Sequence, residues 1–197
     1  MNKKSLALII VLIAIAGIYG IFYAAVTTVL MPQDLNNYKN ELNSMPQDSI
    51  KNADIVEMEN AAAAMESSSG LKYMSQSQRT SIANDMKNSN ALPSDVLNSD
   101  WNAYSNFNSY KALAYSMVFK GELSNKIKDL SNNYKEISDI SMNMTSQTQK
   151  AAEDLEKGDN KAYTSDLRKT ADFMKQYNAK IEVLRTNLQS IVNELSK

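Results

Sequence analysis

The 197-residue sequence contains no cysteine and no histidine. It therefore has no disulfides, no Ser-His-Asp triad, no Cys-His pair and none of the usual ligand sets for zinc, haem or iron–sulfur clusters. A di-iron bundle is also excluded, because it uses Glu-x-x-His pairs. We predict that the protein is not an enzyme and carries no cofactor.

Glycine and proline are scarce, with five and three residues respectively. Outside an apolar N-terminal run the glycines are isolated, so the chain has no Gly-rich phosphate loop. A β-sandwich built on turns needs more of both residue types. Apolar residues recur at helical spacing and do not alternate as in strands. The sequence therefore predicts an all-α fold.

Carboxylates are the remaining candidates for metal binding or acid–base chemistry. The densest acidic groups are Glu57 with Glu59, and Glu153 with Asp154 and Glu156. Their spacing scatters them around a helix, so we interpret both groups as solvated faces. Asp159 and Asn160 lie in a predicted loop, but a calcium-binding loop needs several more oxygen ligands at fixed offsets. We therefore predict no metal site.

The chain also lacks a basic excess. Of its 21 basic residues, Lys3 and Lys4 precede the apolar run, which leaves 19 against 22 acidic residues in the remainder. A protein that binds nucleic-acid phosphates should carry a basic excess on one face. We therefore predict no nucleic-acid partner.

The most informative feature present is the apolar run over residues 6–31, which is 26 residues long and uncharged. A helix needs about 20 such residues to cross a bilayer. Lys3 and Lys4 precede the run, and Asp34 is the first charged residue after it. Basic residues near a span stay cytoplasmic. We expect a single-pass cell-membrane protein with a cytoplasmic N-terminus and its C-terminal domain outside.

A cleavable signal peptide is the competing interpretation of this run. Ala14-Ile15-Ala16 before Gly17 has the small-x-small form of a cleavage site. A signal sequence should end its apolar region there, after roughly 7–15 residues. Here the mostly apolar stretch continues for another 15 positions. We favour an uncleaved anchor, and cleavage after Ala16 stays the alternative.

The sequence divides into three parts: a cytoplasmic tip and anchor at 1–31, a juxtamembrane short helix or linker at 32–46, and an extracytoplasmic helical bundle at 47–197. Pro32 and Pro46 each stand in a Met-Pro-Gln-Asp tetrapeptide, which suits a helix start. Further helices are predicted over about 48–67, 75–88 and 93–120. The buried face of the last one is predicted from apolar residues at 4-3-4-3 spacing: Ala103, Phe107, Tyr110, Ala114 and Met117.

Residues 122–197 carry the strongest pattern in the chain. Apolar or small residues alternate at spacings of four and three from Leu123 to Leu155 and again from Tyr163 to Leu195, with a polar break between. The pattern predicts two long helices that form an antiparallel coiled-coil hairpin. With the turn centred on Gly158 to Asn160, facing residues should have numbers that sum to 318.

Outside the apolar run, aromatic residues are densest in the helix that precedes this hairpin. Trp101, Tyr104 and Tyr115 lie on a face beside the predicted apolar stripe. They are our candidate partner-binding residues. The alternative is that they form a second packing face of the bundle.

Together these features favour a non-enzymatic, membrane-anchored helical interaction or scaffold protein. It would contact the lipid bilayer through residues 6–31 and bind a protein partner or another copy of itself. The alternative is an extracytoplasmic ligand-sensing or ligand-binding bundle that uses the Trp101 region and acts through a partner.

Overall fold

The computed structural model describes residues 3–45, 49–68, 70–88, 101–118 and 121–197, with side chains from residue 10 onward except those of 68 and 101–103. Within these ranges the regular elements are helices and there is no strand. The predicted all-α class is therefore confirmed.

The chain begins with one long helical rod. Helix α1 covers Lys3–Ala25, a π-helical turn covers Val26–Leu30, and α2 covers Met31–Ser44. In the π-helical turn the hydroxyl of Thr27 donates to the carbonyl of Tyr23 at 3.0 Å, and that of Thr28 to Ala24 at 2.7 Å. These bonds help to satisfy carbonyls where the regular ladder shifts.

The N-terminal rod can span a membrane by length and composition. The stretch Ile10–Ser44 contains a window of mean hydropathy 2.3, of which 6% is buried in the fold, and it is the one such helix in the described part of the chain. The predicted apolar N-terminal helix is confirmed to this extent.

Five further helices follow in the described part of the chain. They are α3 (Asn52–Ser68), α4 (Gln76–Asn88), α5 (Trp101–Val118), α6 (Glu122–Lys157) and α7 (Asn160–Leu195), with a 3₁₀ turn at Gly70–Tyr73 between α3 and α4. The predicted helix starts at Pro46 and Pro93, and the predicted end at Lys120, lie outside the described residues. Helices α6 and α7 have 36 residues each, or about 54 Å of helix.

A two-residue connection joins α6 to α7. Gly158 ends α6 in the left-handed conformation with φ 76°, which favours glycine. Its N–H donates to the carbonyl of Leu155 at 3.0 Å. Asp159 then caps α7, because its carboxylate accepts from the N–H of Ala162 at 3.0 Å. The turn falls where the sequence pattern breaks.

Helices α6 and α7 pack on each other through the residues of the 4-3 pattern. All twenty of these are buried except Ser141, which is half-buried. Ion pairs join the two helices at three levels, with an N–O distance of 3.6 Å for Lys126–Glu194, 2.5 Å for Lys180–Glu136 and 3.4 Å for Lys150–Asp166.

The other helices cover this central pair. Helices α4 and α5 pack on α6, and α2 and α3 pack on α7. The larger core cluster joins α2 and α5 to one half of the central pair and includes Tyr38, Tyr115 and Tyr134. A smaller cluster lies at the Gly158 end, where Ala62 and Ala83 meet Leu155. Helix α2 is thus part of the bundle core.

The predicted buried face of α5 is wrong. Phe107, Tyr110 and Met117 are exposed, whereas the side chains that α5 buries are those of Asn108, Lys111, Ala112 and Tyr115. The reason is electrostatic and hydrogen-bonding complementarity with α2, since the buried polar groups of α5 find partners there. The apolar side chains face outward as a consequence.

Candidate functional site

Two polar faces meet between α2 and α5. On α2, Asp34, Tyr38 and Glu41 are spaced by four and three residues and share one face. On α5, the residues at the same kind of spacing are Tyr104, Asn108, Lys111 and Tyr115. The two helices are bridged by these long side chains, because each packs its backbone closely on a different partner, α2 on α7 and α5 on α6.

We call the contact between these two polar faces the seam. A buried ion pair lies at the end of the seam that is nearest to α1. The ammonium of Lys111 binds the carboxylate of Asp34, and their side chains are 6% and 1% exposed. The hydroxyl of Tyr115 donates to the other carboxylate oxygen at 3.0 Å. Burial lowers the pKa of Lys111, which the Asp34 carboxylate opposes. Burial, with the same carboxylate, raises the pKa of Tyr115.

One helical turn farther along, the seam holds a neutral pair. The hydroxyl of Tyr38 donates to Oδ1 of Asn108 at 2.6 Å, and Nδ2 of Asn108 donates to the carbonyl of Tyr104 at 2.8 Å. The second bond fixes the orientation of the amide. The Lys111 ammonium lies 3.8 Å from the centroid of the Phe107 ring and 5.3 Å from that of Tyr38, so it is held by cation–π attraction as well.

Tyr104 occupies the outer end of the seam. Its hydroxyl donates to Oε2 of Glu41 at 3.2 Å, and its ring stacks on Tyr134 of α6 with centroids 5.1 Å apart. Burial raises the pKa of Tyr104, and the negative charge of Glu41 raises it further. The phenol is therefore a hydrogen-bond donor throughout the physiological pH range.

A cleft of about 790 Å³ opens along this seam. Aromatic rings and amides make up most of its walls, with one carboxylate and one ammonium; its lining residues are Asn37, Tyr38, Asn40, Glu41, Ser44, Tyr104, Phe107, Asn108 and Lys111. The volume lies within the ~300–1,000 Å³ typical of small-molecule sites. Such a lining can stack against a flat or apolar ligand face and hydrogen-bond to its polar edge.

The three candidate partner-binding residues have different positions. Tyr104 lines the cleft and is partly exposed, so it can contact a ligand. Tyr115 is fully buried beneath the seam and holds Asp34. Trp101 is the first residue of α5, but its side chain lies outside the described residues. The structure thus brings one of the three to the cleft and one to the core.

The sequence reasoning missed the α2 half of the site. In the sequence, Leu35, Tyr38 and Leu42 stand at helical spacing, and Asp34 was used only as the first charged residue after the apolar run, so no site residue was predicted in this segment. The available signal was the matching four-three spacing of polar and tyrosine residues on two helices. The partners are separated by 63 to 81 positions in sequence, so nothing local connects them.

A second polar cluster lies between α6 and α7. Asp154, which was interpreted as part of a solvated face, is buried beside Asp166. Burial disfavours the charge on Asp166, but the ammonium groups of Lys169 and Lys150 outweigh it, so its pKa is lowered. Among the described residues no group of three or more acidic side chains is placed to hold a metal ion.

Comparison of the chain with models of protein families, with curated proteins and with solved structures finds no match.

Proposed function

We propose that this protein is a non-enzymatic interaction protein that is anchored in a cell membrane by residues 6–31, with its N-terminus in the cytoplasm and its bundle outside. One observation carries the proposal: the apolar helix continues without a break into α2, and α2 is buried in the bundle through Asp34 and Tyr38. Because the anchor continues into a core helix, the bundle would be held directly at the membrane surface.

The proposed orientation depends on charge. Lys3 and Lys4 precede the apolar helix, whereas Asp34 is the first charged residue after it. Basic residues close to a span are retained on the cytoplasmic side. Asp34 does not oppose this arrangement, because its charge is compensated by Lys111.

We further propose that α6 and α7 form an antiparallel coiled-coil hairpin that presents the interaction surface. The ion pairs support it, because Lys126 near the start of α6 meets Glu194 near the end of α7, while Lys150 near the end of α6 meets Asp166 near the start of α7. The outer faces of these helices expose Met142 and Val183 among polar residues, and these apolar side chains are available to a partner.

Membrane topology tests the anchor. Because the chain has no cysteine, single substitutions give unique labels. On intact cells, a membrane-impermeant maleimide should label Ser146→Cys on the outer face of α6 and should label Ser5→Cys only after the cells are permeabilised. Release of the protein from membranes by alkaline carbonate, or the reverse labelling pattern, would contradict the proposal.

The cleft favours a second candidate function, the binding of a small ligand outside the membrane. Its rings and amides are the lining expected for a compact ligand with one flat face and several hydrogen-bonding groups. Such a ligand would touch both α2 and α5 and would tighten the contact between them.

A blocked cleft tests the second function. A library of small polar ligands is screened for those that raise the melting temperature of the full chain in detergent. A true cleft ligand should stabilise the native protein but not Asn40→Trp, which fills the cleft. It should still stabilise Asn36→Trp, an exposed position on α2 outside the lining. Equal stabilisation of both variants would place the ligand elsewhere.

A further inference from the structure

The outward face of α5 carries an apolar stripe next to the anchor. Tyr110, Leu113 and Met117 are spaced by three and four residues and are 77%, 55% and 53% exposed. At helical spacing they lie on the same face. Asn106, seven residues before Leu113 on that face, is polar and exposed. The stripe is therefore confined to the last two to three turns of α5.

The end of α5 lies beside the π-helical turn. The two elements are in contact, and Val118 and Leu30 pack against the same core cluster as Val26. Asp34 of α2 binds Lys111 and Tyr115 of α5, which fixes the relative level of the helices. Met117 thus lies at about the level of residues 26–30. Tyr110 is about 10 Å higher on the helix axis.

The length of the apolar run places this level at the membrane surface. Its 26 residues make about 39 Å of helix, whereas a bilayer has a hydrocarbon core of about 30 Å. The excess of about 9 Å lies outside the core. The bundle covers one side of the last turns of the run, because Val26 is buried and Phe22 and Leu30 pack against the bundle.

We propose that the membrane-proximal end of this stripe, Met117 and Leu113, is a second membrane contact that rests in the headgroup layer of the same bilayer that holds the anchor, with Tyr110 on the aqueous side of that layer. The inference depends on the proposed anchor. It is supported by the contact between α5 and the π-helical turn, in which Val29 is also exposed. Tyrosine suits the aqueous boundary of this layer because its ring is apolar and its hydroxyl remains wet.

Depth-dependent quenching tests the contact. The full chain is reconstituted in two sets of phosphatidylcholine–phosphatidylglycerol vesicles, one with lipids brominated on the acyl chain near the headgroup and one with lipids brominated near the end of the acyl chain. Single cysteines carry a small fluorophore at Leu113→Cys, at Asn106→Cys as the matched control on the same face, and at Ile15→Cys within α1. We expect lipid brominated near the headgroup to quench Leu113→Cys at least twofold more than Asn106→Cys, and lipid brominated near the end of the acyl chain to quench Ile15→Cys strongly.

The outcomes separate this inference from the proposed anchor. Quenching at Ile15→Cys without quenching at Leu113→Cys would overturn the stripe contact and leave the anchor intact. No lipid quenching at Ile15→Cys would overturn the anchor. A Leu113→Cys probe protected from both brominated lipid and aqueous iodide would mean that protein, such as a second copy, covers the stripe, which would also overturn the inference.

Discussion

At the scale of single residues, the bundle contains an ion pair where apolar side chains are usual. Asp34 and Lys111 are both desolvated, and their attraction with the Tyr115 hydrogen bond offsets that cost. The pair adds little net stability compared with well-packed apolar residues. It does penalise any other register of α2 against α5, because a shift leaves two buried charges without partners. We infer that it fixes the position of α2.

Replacing only one residue of the Asp34–Lys111 pair should therefore destabilise the fold far more than replacing both. Lys111→Met should lower the free energy of unfolding by about 3–5 kcal/mol at pH 7, because Asp34 keeps a buried, unpaired charge. The double variant Asp34→Leu/Lys111→Met should recover to within about 2 kcal/mol of the native protein. Chemical unfolding in detergent measures both. Additive losses in the double variant would show that the pair is not coupled.

The lowered pKa of Asp166 predicts that the protein loses stability at low pH. Its pKa lies below the ordinary value of 3.8, so the unfolded chain binds the proton more readily. The stabilisation is present above about pH 4 and is lost as the pH falls through the lower, folded-state pKa. Asp166→Asn should flatten this acid limb in melting temperatures measured from pH 7 to pH 2.5. An unchanged slope would assign the acid sensitivity to other carboxylates.

At the scale of helices, the buried faces of the long helices could be predicted from the sequence, whereas that of the short helix α5 could not. The approximate ends of α6 and α7 and the residues buried between them followed from ten positions in each helix at alternating spacings of four and three. Helix α5 has only 18 residues and two competing faces, one apolar and one of tyrosine, amide and lysine. Hydrophobicity favoured the first face. The second is buried because its hydrogen-bonding partners lie on α2, and their sequence distance hides them from any local pattern.

The connection between α6 and α7 is sensitive to substitution at Gly158. Gly158→Ala should cost about 1–2 kcal/mol, because alanine is strained at a φ of 76°. A β-carbon there would also lie 3.3 Å from Cζ of Arg79, whose Nη1 donates to the carbonyl of Met74 at 2.9 Å. Gly158→Asn should cost less, since asparagine tolerates the left-handed region. Thermal unfolding compares the two variants, and equal losses would assign the effect to the contact with Arg79.

At the scale of the whole molecule, the boundary drawn from sequence at residue 46 does not match a boundary in packing. Helix α2 was interpreted as a short helix or linker, but its Asp34 and Tyr38 are buried, as is Met45 just after it. The apolar run could be recognised from its own residues, because it needs no partner helix. The burial of α2 could not be predicted from its own residues, because it depends on contacts with α5 and α7.

Truncation tests which helices form the cooperative unit. Residues 32–197 should give a soluble, strongly helical protein with one unfolding transition. Residues 46–197 lack α2 and leave Lys111 without its carboxylate, so they should melt at a markedly lower temperature or without a cooperative transition. Circular dichroism at 222 nm follows both. Identical melting curves would mean that α2 is not part of the folded unit.

Helical structure runs from Lys3 to Ser44 with no loop between the apolar segment and the bundle. A change in the tilt of the membrane span would therefore be transmitted to the whole bundle. Membrane spans commonly tilt by about 20°, and such a tilt, carried along the roughly 54 Å of α6, would displace the Gly158 turn by roughly 18 Å. Bilayer thickness, which sets the tilt of a long span, would thereby set the reach of the distal tip.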